Sequence, residues 1–285
     1  MDLNGKVAFV TGAGQGLGWG IANAFALAGA RVVVNDIDDD LAVAAAAHIE
    51  AAGGMAAAAR FDVADGPAFA SAVASTLERW TRVDVVVHAA IFMPLVTFEA
   101  LDARTWRRQL DVGIGGLFNA AKAVWPAMLR QGGGHVIGVA SGSSLRGYTE
   151  EVAYCTVKHG VEGFVKALAL EAEARGIAVN SMGPGAPIKP TRMGWDELNA
   201  LPSDMTAQWA DPVELGRAFV WLASQPPTRF SGLRFDAGPI VATLEHEGAS
   251  FTFEPEKVTA YPEDFRQRQD WRADYPRTEP PGPTS

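Results

Sequence analysis

The stretch that most constrains this chain is Thr11-Gly12-Ala13-Gly14-Gln15-Gly16-Leu17-Gly18. An apolar run, Val7 to Val10, leads into it, and an alanine-rich helical pattern from Ile21 to Leu27 leads out. Glycines between a strand and a helix are informative in a way that a lone glycine run is not. Gly12, Gly16 and Gly18, without Cβ atoms, let the turn tighten and the backbone approach a pyrophosphate. The free N–H groups and dipole of the following helix then favour its negative charge. The same glycines would also serve a tight turn that binds nothing. What separates the two readings lies one strand later.

Arg31-Val32-Val33-Val34-Asn35-Asp36 reads as a second buried strand ending in a carboxylate. Asp36 follows Gly18 by 18 residues, close to the offset of roughly 20 at which an acid meets the adenosine ribose of a dinucleotide. A carboxylate there accepts from both ribose hydroxyls and repels a 2′-phosphate. No basic residue stands between Val32 and Asp40, so NAD is expected rather than NADP. Asp38, Asp39 and Asp40 read as the acidic start of the next helix, complementing its dipole.

The alternation continues. A helix from Asp38 to Ala52 precedes a third strand, Met55 to Phe61, and a helix from Gly66 to Trp80 precedes a fourth, Val83 to Val87. A long helical region, Leu101 to Arg130, holds Gly113, Gly115 and Gly116 near its middle. His135 to Ala140 is a fifth strand, Tyr148 to Arg175 a helical span, and Ile177 to Asn180 a sixth strand. A helix capped by Asp211-Pro212 precedes a seventh strand, Leu233 to Phe235. Strands alternating with helices imply a doubly wound, seven-stranded parallel α/β sheet, Rossmann-like, with ligands beyond the carboxyl ends of its strands. One domain is expected over residues 1–238, with an extension over residues 239–285. In that extension Glu245 to Phe253 suggests a short strand or irregular arm, and the proline-rich end has the composition of disorder.

Composition narrows the partners. A net charge of −9 and a pI near 5.1 argue against a nucleic-acid surface, which needs clustered Lys and Arg. The apolar stretches are too short and interrupted to span a membrane. Met1 to Asn4 lacks the regions of a signal peptide, and the single cysteine, Cys155, suits a reducing cytoplasm. Glu245-His246-Glu247 holds three potential ligands in a row that cannot converge if extended, so no metal is expected.

The chemistry concentrates in Ser141, after the fifth strand, and in Tyr154-Cys155-Thr156-Val157-Lys158. A helix sets Tyr154 and Lys158 on one face. Tyrosine, with a pKa near 10, is a poor base at neutral pH; a lysine cation one turn away is expected to lower that value. Ser141 stands where its hydroxyl can steer a substrate oxygen toward the phenol. Either feature alone is commonplace; beside a nucleotide turn in this topology they form a specific set.

With these residues the chain resembles the short-chain dehydrogenase/reductase family over nearly all of residues 4–238. The resemblance rests on the glycine turn, Asp36, Asp62-Val63, Ser141, Tyr154…Lys158, Asn180, Pro184-Gly185 and Asp236-Ala237-Gly238. It implies that Ser141, Tyr154 and Lys158 are catalytic, with Tyr154 as general acid or base. It implies cofactor contacts from Gly12, Gly14, Gln15, Gly16, Leu17, Gly18, Asp36, Ile37, Asp62, Val63, Ala89, Ala90, Tyr154, Lys158, Pro184, Gly185 and Ile188. Two departures stand out. His88-Ala89-Ala90-Ile91 replaces the family's usual Asn-Asn-Ala-Gly, removing the amides that brace the sheet, and His88 reads as a packing substitute rather than a proton shuttle. Gly113 replaces the family's catalytic asparagine, so a proton relay must use backbone groups, water or another residue.

The loop with Met193, Trp195, Leu198, Leu201, Met205 and Trp209 is expected to close over the ligand crevice, with Phe92, Met93, Leu145 and Tyr148 opposite. That favours an apolar secondary alcohol or ketone, although the same residues would serve the loop's own core. Lys189 and Arg192 would meet a substrate carboxylate or lie at the surface. The resemblance implies a homodimer or homotetramer through Leu101–Arg130 and Tyr148–Arg175. Phe251, Phe253, Tyr261, Phe265 and Trp271 suggest that part of the extension packs over a neighbouring subunit or the substrate mouth. The competing readings are an NAD-binding subunit without turnover, supported by Gly113 and His88, and an NADPH-dependent acyl reductase, which Asp36 disfavours.

Overall fold

The computed structural model describes residues 1–189, 193 and 200–253, and Met1–Phe251 form one compact unit. Among the described residues the strands are β1 (Val7–Thr11), β2 (Arg31–Asp36), β3 (Met55–Arg60), β4 (Val85–His88), β5 (Gly134–Val139), β6 (Ile177–Gly183) and β7 (Arg234–Asp236). They make one seven-stranded sheet in the order β3-β2-β1-β4-β5-β6-β7, with every neighbouring pair parallel. The principal helices are α1 (Gly16–Leu27), α2 (Asp39–Ala51), α3 (Gly66–Trp80), α4 (Ala103–Leu110), α5 (Gly116–Gln131), α6 (Val152–Ala172), α7 (Pro212–Ser224) and α8 (Ala237–Glu247). None of the described helices is long and apolar enough to cross a membrane.

Helices cover both faces, which is why β2 and β4 read as unbroken valine runs and β1 as a continuous apolar one. Alternate residues divide between two cores. Ala8 and Val10 turn toward Phe25, Ile49, Phe219 and Trp221 on one face. Val7 and Phe9 turn toward Phe69, Leu117, Val124 and Val165 on the other. Helix starts are set locally: Asp38, Asp65, Asp102 and Asp211 each accept a backbone N–H in the first turn of α2, α3, α4 and α7, satisfying a donor that the helix cannot.

Three sequence expectations change. The region Leu101–Arg130 is not one helix: α4 and α5 are joined by a π-helical turn, Asp111–Gly115. Side chains from elsewhere occupy the space that residues here would fill. A Cβ on Gly116 would lie 2.6 Å from His88 Cε1, and one on Gly113 would collide with Val157. The span Tyr148–Arg175 becomes helical only at Val152. Finally, the segment read as a strand or arm begins as the end of helix α8, because Ile240, Val241 and Leu244 form a buried stripe along it. Beyond α8, Phe251 stacks on Trp221 with ring centroids 4.7 Å apart and planes 6° apart. The compact unit therefore runs past Gly238. Tyr261, Phe265 and Trp271 lie outside the described residues.

Candidate active site

The sheet order reverses at β1, whose neighbours are β2 and β4, and a crevice opens there beyond the strand ends. Gly12, with φ +60°, passes so close to the segment after β4 that a Cβ would lie 2.7 Å from Ala90 Cα. A Cβ on Gly18 would strike the Gly12 carbonyl, so the turn must be this tight for α1 to start here. At the start of α1, Gln15 makes no side-chain capping bond, leaving the first N–H groups to whatever enters the crevice. The Asp36 carboxylate is held at the rim: Gly14 N–H donates to Oδ2 at 3.1 Å and Asp38 N–H to Oδ1 at 3.2 Å.

The crevice has a volume of about 510 Å³. Of the residues singled out in the sequence, Gly12, Gln15, Gly16, Leu17, Gly18, Asp36, Ile37, Asp62, Val63, Ala89, Ala90, Ser141, Tyr154, Lys158, Pro184 and Ile188 line it. Gly14 and Gly185 do not. Gly14 stands behind Asp36, and Gly185, with φ +60°, packs against Asp236 and Pro239. The crevice adds a residue that the sequence did not point to. Arg108, from α4, lines it and donates from Nη1 to Asp62 Oδ2 at 2.7 Å, while Ala64 N–H holds Oδ1 at 3.0 Å. Nothing in the Arg107-Arg108 pair distinguishes the one facing inward, because its partner lies 46 residues away.

Ser141 leaves β5 and caps a short 3-10 turn, Gly142–Ser144; its Oγ accepts Ser143 N–H, and Ser144 Oγ accepts Ser141 N–H, each at 3.2 Å. Across the crevice, α6 presents Tyr154 and Lys158. Burial pushes the Tyr154 phenol above its ordinary value of 10, and a hydrogen bond with the Ser141 side chain pulls it partly back. The nearby Glu151 and Cys155 add to the upward push. Lys158 is 5% exposed. Its Nζ donates to the Val139 carbonyl at 2.6 Å and lies 5.5 Å from the Tyr154 ring centroid. Burial pulls its pKa down to about 8, with Glu162 opposing and Arg234 reinforcing the fall. The expected lowering of the tyrosine by the lysine is thus not met in the protein alone. The ammonium is turned to a β5 carbonyl, and desolvation of the phenolate is the largest influence on Tyr154.

His88 is the brace that its substitution for asparagine was expected to remove. Thr11 Oγ1 accepts from Ala89 N–H at 3.1 Å and Ala90 N–H at 3.2 Å, so its proton goes to His88 Nδ1, 3.0 Å away. The imidazole is then left with an Nε2–H. This donates to the carbonyls of Gly113 at 2.9 Å and Val112 at 3.1 Å. Burial, reinforced by the Lys158 charge, lowers the His88 pKa to about 4 against those carbonyl bonds, so the ring is neutral. One side chain thus ties β1, β4 and the π turn together. It uses backbone carbonyls of a turn whose i→i−4 pattern is interrupted.

At the substrate end, Phe92, Ile91, Pro184, Ile188 and Lys189 line the crevice. Met93, Leu145 and Tyr148 do not; Tyr148 accepts from Arg146 Nε at 2.6 Å instead. Leu201 and Trp209 line a separate cavity of about 590 Å³ with Leu17, Trp19 and Ile188. Met205 is 48% exposed. Lys189 Nζ donates to the Met193 carbonyl at 2.6 Å. Trp195, Leu198 and Arg192 lie outside the described residues.

Residues 6–200 match the sequence model of the short chain dehydrogenase family. The chain is 35% identical over 236 residues to D-threitol dehydrogenase of Mycolicibacterium smegmatis, covering 81% of this chain and 90% of that protein. It is 31% identical over 234 residues to cyclohexanol dehydrogenase of an Acinetobacter species, covering 82% and 93%. A solved structure described as a short-chain alcohol dehydrogenase from Sinorhizobium meliloti superimposes with a TM-score of 0.74 at 28% identity, covering 83% of this chain and 96% of that one.

Proposed function

The chain belongs to the short-chain dehydrogenase family, and from that premise we propose an NAD-dependent dehydrogenase of an apolar secondary alcohol, with Tyr154 as its general acid and base. The observation that carries the reading is convergence. An uncapped helix start, a carboxylate at the adenosine-ribose offset and Ser141, Tyr154 and Lys158 all face one crevice. The residues fit a dinucleotide. Gly12 and Gly18 leave no room for side chains where the backbone must approach a pyrophosphate. The α1 N–H groups face the place for its charge. Asp36, already fixed by Gly14 and Asp38, is set to receive ribose hydroxyls and to repel a 2′-phosphate. A bound nicotinamide supplies the hydride acceptor for oxidation, or the donor for reduction.

The rest is the work of the chain. Ser141 Oγ and the Tyr154 hydroxyl together take the substrate oxygen, and Tyr154 receives its proton as the carbinol carbon gives up hydride. Because burial raises the Tyr154 pKa in the free protein, the phenol begins protonated, ready for ketone reduction. Oxidation requires it to shed that proton, which added positive charge in the crevice promotes. Lys158, with a pKa near 8, can swing from the Val139 carbonyl to ribose hydroxyls or pass a proton onward. Ile91, Phe92, Pro184 and Ile188 make the substrate end apolar, which favours a ring alcohol such as the substrate named for the Acinetobacter relative over a polyol such as threitol.

We extend the proposal to a cytoplasmic homodimer or homotetramer, supported by the single free thiol Cys155 and by Phe118 and Leu170 standing 50% and 78% exposed on α5 and α6. The reading of a subunit without turnover drew on Gly113 and His88; the His88 brace weakens that support.

The test is NADH formation from NAD with cyclohexanol and D-threitol in parallel, beside Tyr154→Phe. NADH should form with cyclohexanol and not in the variant, which should still bind NADH. Turnover surviving in the variant would refute the role of Tyr154. Binding of NADPH in preference to NADH would refute the cofactor.

A further inference from the structure

Beneath Ser141, Tyr154 and Lys158 lies a group of charges that the proposed chemistry does not use. Arg234 of β7 reaches under the end of β5, where Nη2 donates to the Ser141 carbonyl at 3.2 Å and to Asp236 Oδ1 at 3.1 Å. Its Nη1 donates to Glu162 Oε1 at 2.7 Å. Glu162 lies on α6 one turn beyond Lys158, is 9% exposed, and accepts Ser181 O–H on Oε2 at 2.7 Å. Room for the guanidinium is built in: a Cβ on Gly183 would lie 3.0 Å from Arg234 Nη2 and 2.6 Å from Asp236 Oδ1. A buried carboxylate and guanidinium are weak contributors to stability, since desolvation offsets their attraction. Their placement directly behind the crevice is better explained by what they hold.

We propose that Glu162 and Arg234 are positioning residues of the dehydrogenase centre: the guanidinium fixes the main chain of Ser141, and its bond to Glu162, one turn from Lys158 on α6, sets two opposed charges beside the lysine. This rests on the reading of Ser141, Tyr154 and Lys158 as the catalytic group. Among the described residues few groups bear on Lys158, and Arg108 of α4, which lines the same crevice, is paired to Asp62. His88 faces the lysine from β4 and is neutral. Tyr154 and Glu162 share its helix, β5 offers the Val139 carbonyl, and Arg234 acts from β7 with Asp236 paired to it. In the π turn, Asp111 is exposed to solvent. Glu162 favours the ammonium and Arg234 disfavours it, so removing either should shift the lysine in opposite senses.

The experiment is a pH titration of the full chain by NMR, with lysine isotopically labelled at Cε and the Lys158 signal assigned by its loss in Lys158→Met. The native protein should titrate near 8. Glu162→Gln should move that midpoint down and Arg234→Met up, each by about one pH unit, the size expected of a single nearby charge. A pair too far from Lys158 to act on its charge would not produce opposed shifts. Midpoints that stay in place, or move in the same direction, overturn the proposal. Should a single variant fail to fold, Glu162→Gln/Arg234→Met leaves no unpaired buried charge, because Asp236, which also loses its partner, is 40% exposed. In the double variant the Ser141 carbonyl lacks a donor, so turnover should fall several-fold with NADH affinity kept; native turnover in this variant also overturns the proposal. The titration needs no substrate, so its failure and a failure of the dehydrogenase reading are told apart.

Discussion

Gly113 is where a side chain would be expected to take part in the chemistry, and the structure says what adding one would do. An alanine Cβ there would press into Val157, colliding with Cγ1 and standing 3.2 Å from Cγ2 and 3.3 Å from Cβ. Carbon atoms settle at about 3.5–4.0 Å, so one partner must move by more than a few tenths of an ångström. Neither moves easily. The Gly113 carbonyl is held by His88, and Val157, 1% exposed, sits on α6 between Tyr154 and Lys158. Gly113→Ala should therefore cost about 1–3 kcal/mol, the range for overpacking a tight interior. Val157→Ala alone removes two buried methyl groups, about 1.6 kcal/mol at 0.8 kcal/mol per group, before any cavity term. Combined, the new methyl enters the space that the valine vacates, and the double variant should be no less stable than Val157→Ala. The coupling would then be about 1–3 kcal/mol, measurable by denaturant unfolding of the four proteins in a double-mutant cycle. A Gly113→Ala protein as stable as the parent, or two costs that simply add, would show that Val157 is not what keeps position 113 bare.

Two further outcomes follow from the same geometry. His88 and His135 are both buried with pKa values of about 4, below the 6.5 of an unfolded histidine. The unfolded chain therefore binds more protons between those values. Stability should be fully present above pH 6.5 and fall as pH drops toward 4, by up to about 1.4 kcal/mol per pH unit for each ring; denaturant midpoints across that window check the slope, and His135→Phe should halve it. Asp36→Ser removes the ionised acceptor that Gly14 and Asp38 position. It should weaken NADH about tenfold or more, as losing a charge-assisted hydrogen bond of about 1.5–3 kcal/mol implies, while NADPH binding improves; equal titrations of both nucleotides before and after the change would contradict the assignment.

Much of the molecule is legible along the chain because its signals are local. A strand, a glycine turn and a helix announce the crevice between Val7 and Leu27. Asp36 is one strand away, and the interval between Tyr154 and Lys158 is a property of any helix. The continuous apolar run of β1 and the valine runs of β2 and β4 announce strands covered on both faces, and the alternation with helices leaves little but a doubly wound sheet. Where the local signal was ambiguous it misled. The residues around Glu245 look irregular in isolation, and only packing of Ile240 and Leu244 against the core makes the segment leading into them a helix. Likewise, the glycines near Gly113 interrupt a helical pattern without indicating a π turn, because the groups that demand it, His88 and Val157, come from other elements.

The local groups that the proposed function draws on, then, were determined by the sequence: the glycine turn, Asp36, and the Ser141, Tyr154 and Lys158 side chains. Only the tertiary structure decided what holds those groups. His88 and the Gly113 carbonyl are 25 residues apart, Asp62 and Arg108 are 46 apart, and Glu162 and Arg234 are 72 apart. No periodicity links such pairs. They meet because the strand order places β4 beside β1 and β7 beside β6, and, for the buried His88 and Glu162, because an unpaired imidazole or carboxylate there is too costly to leave alone.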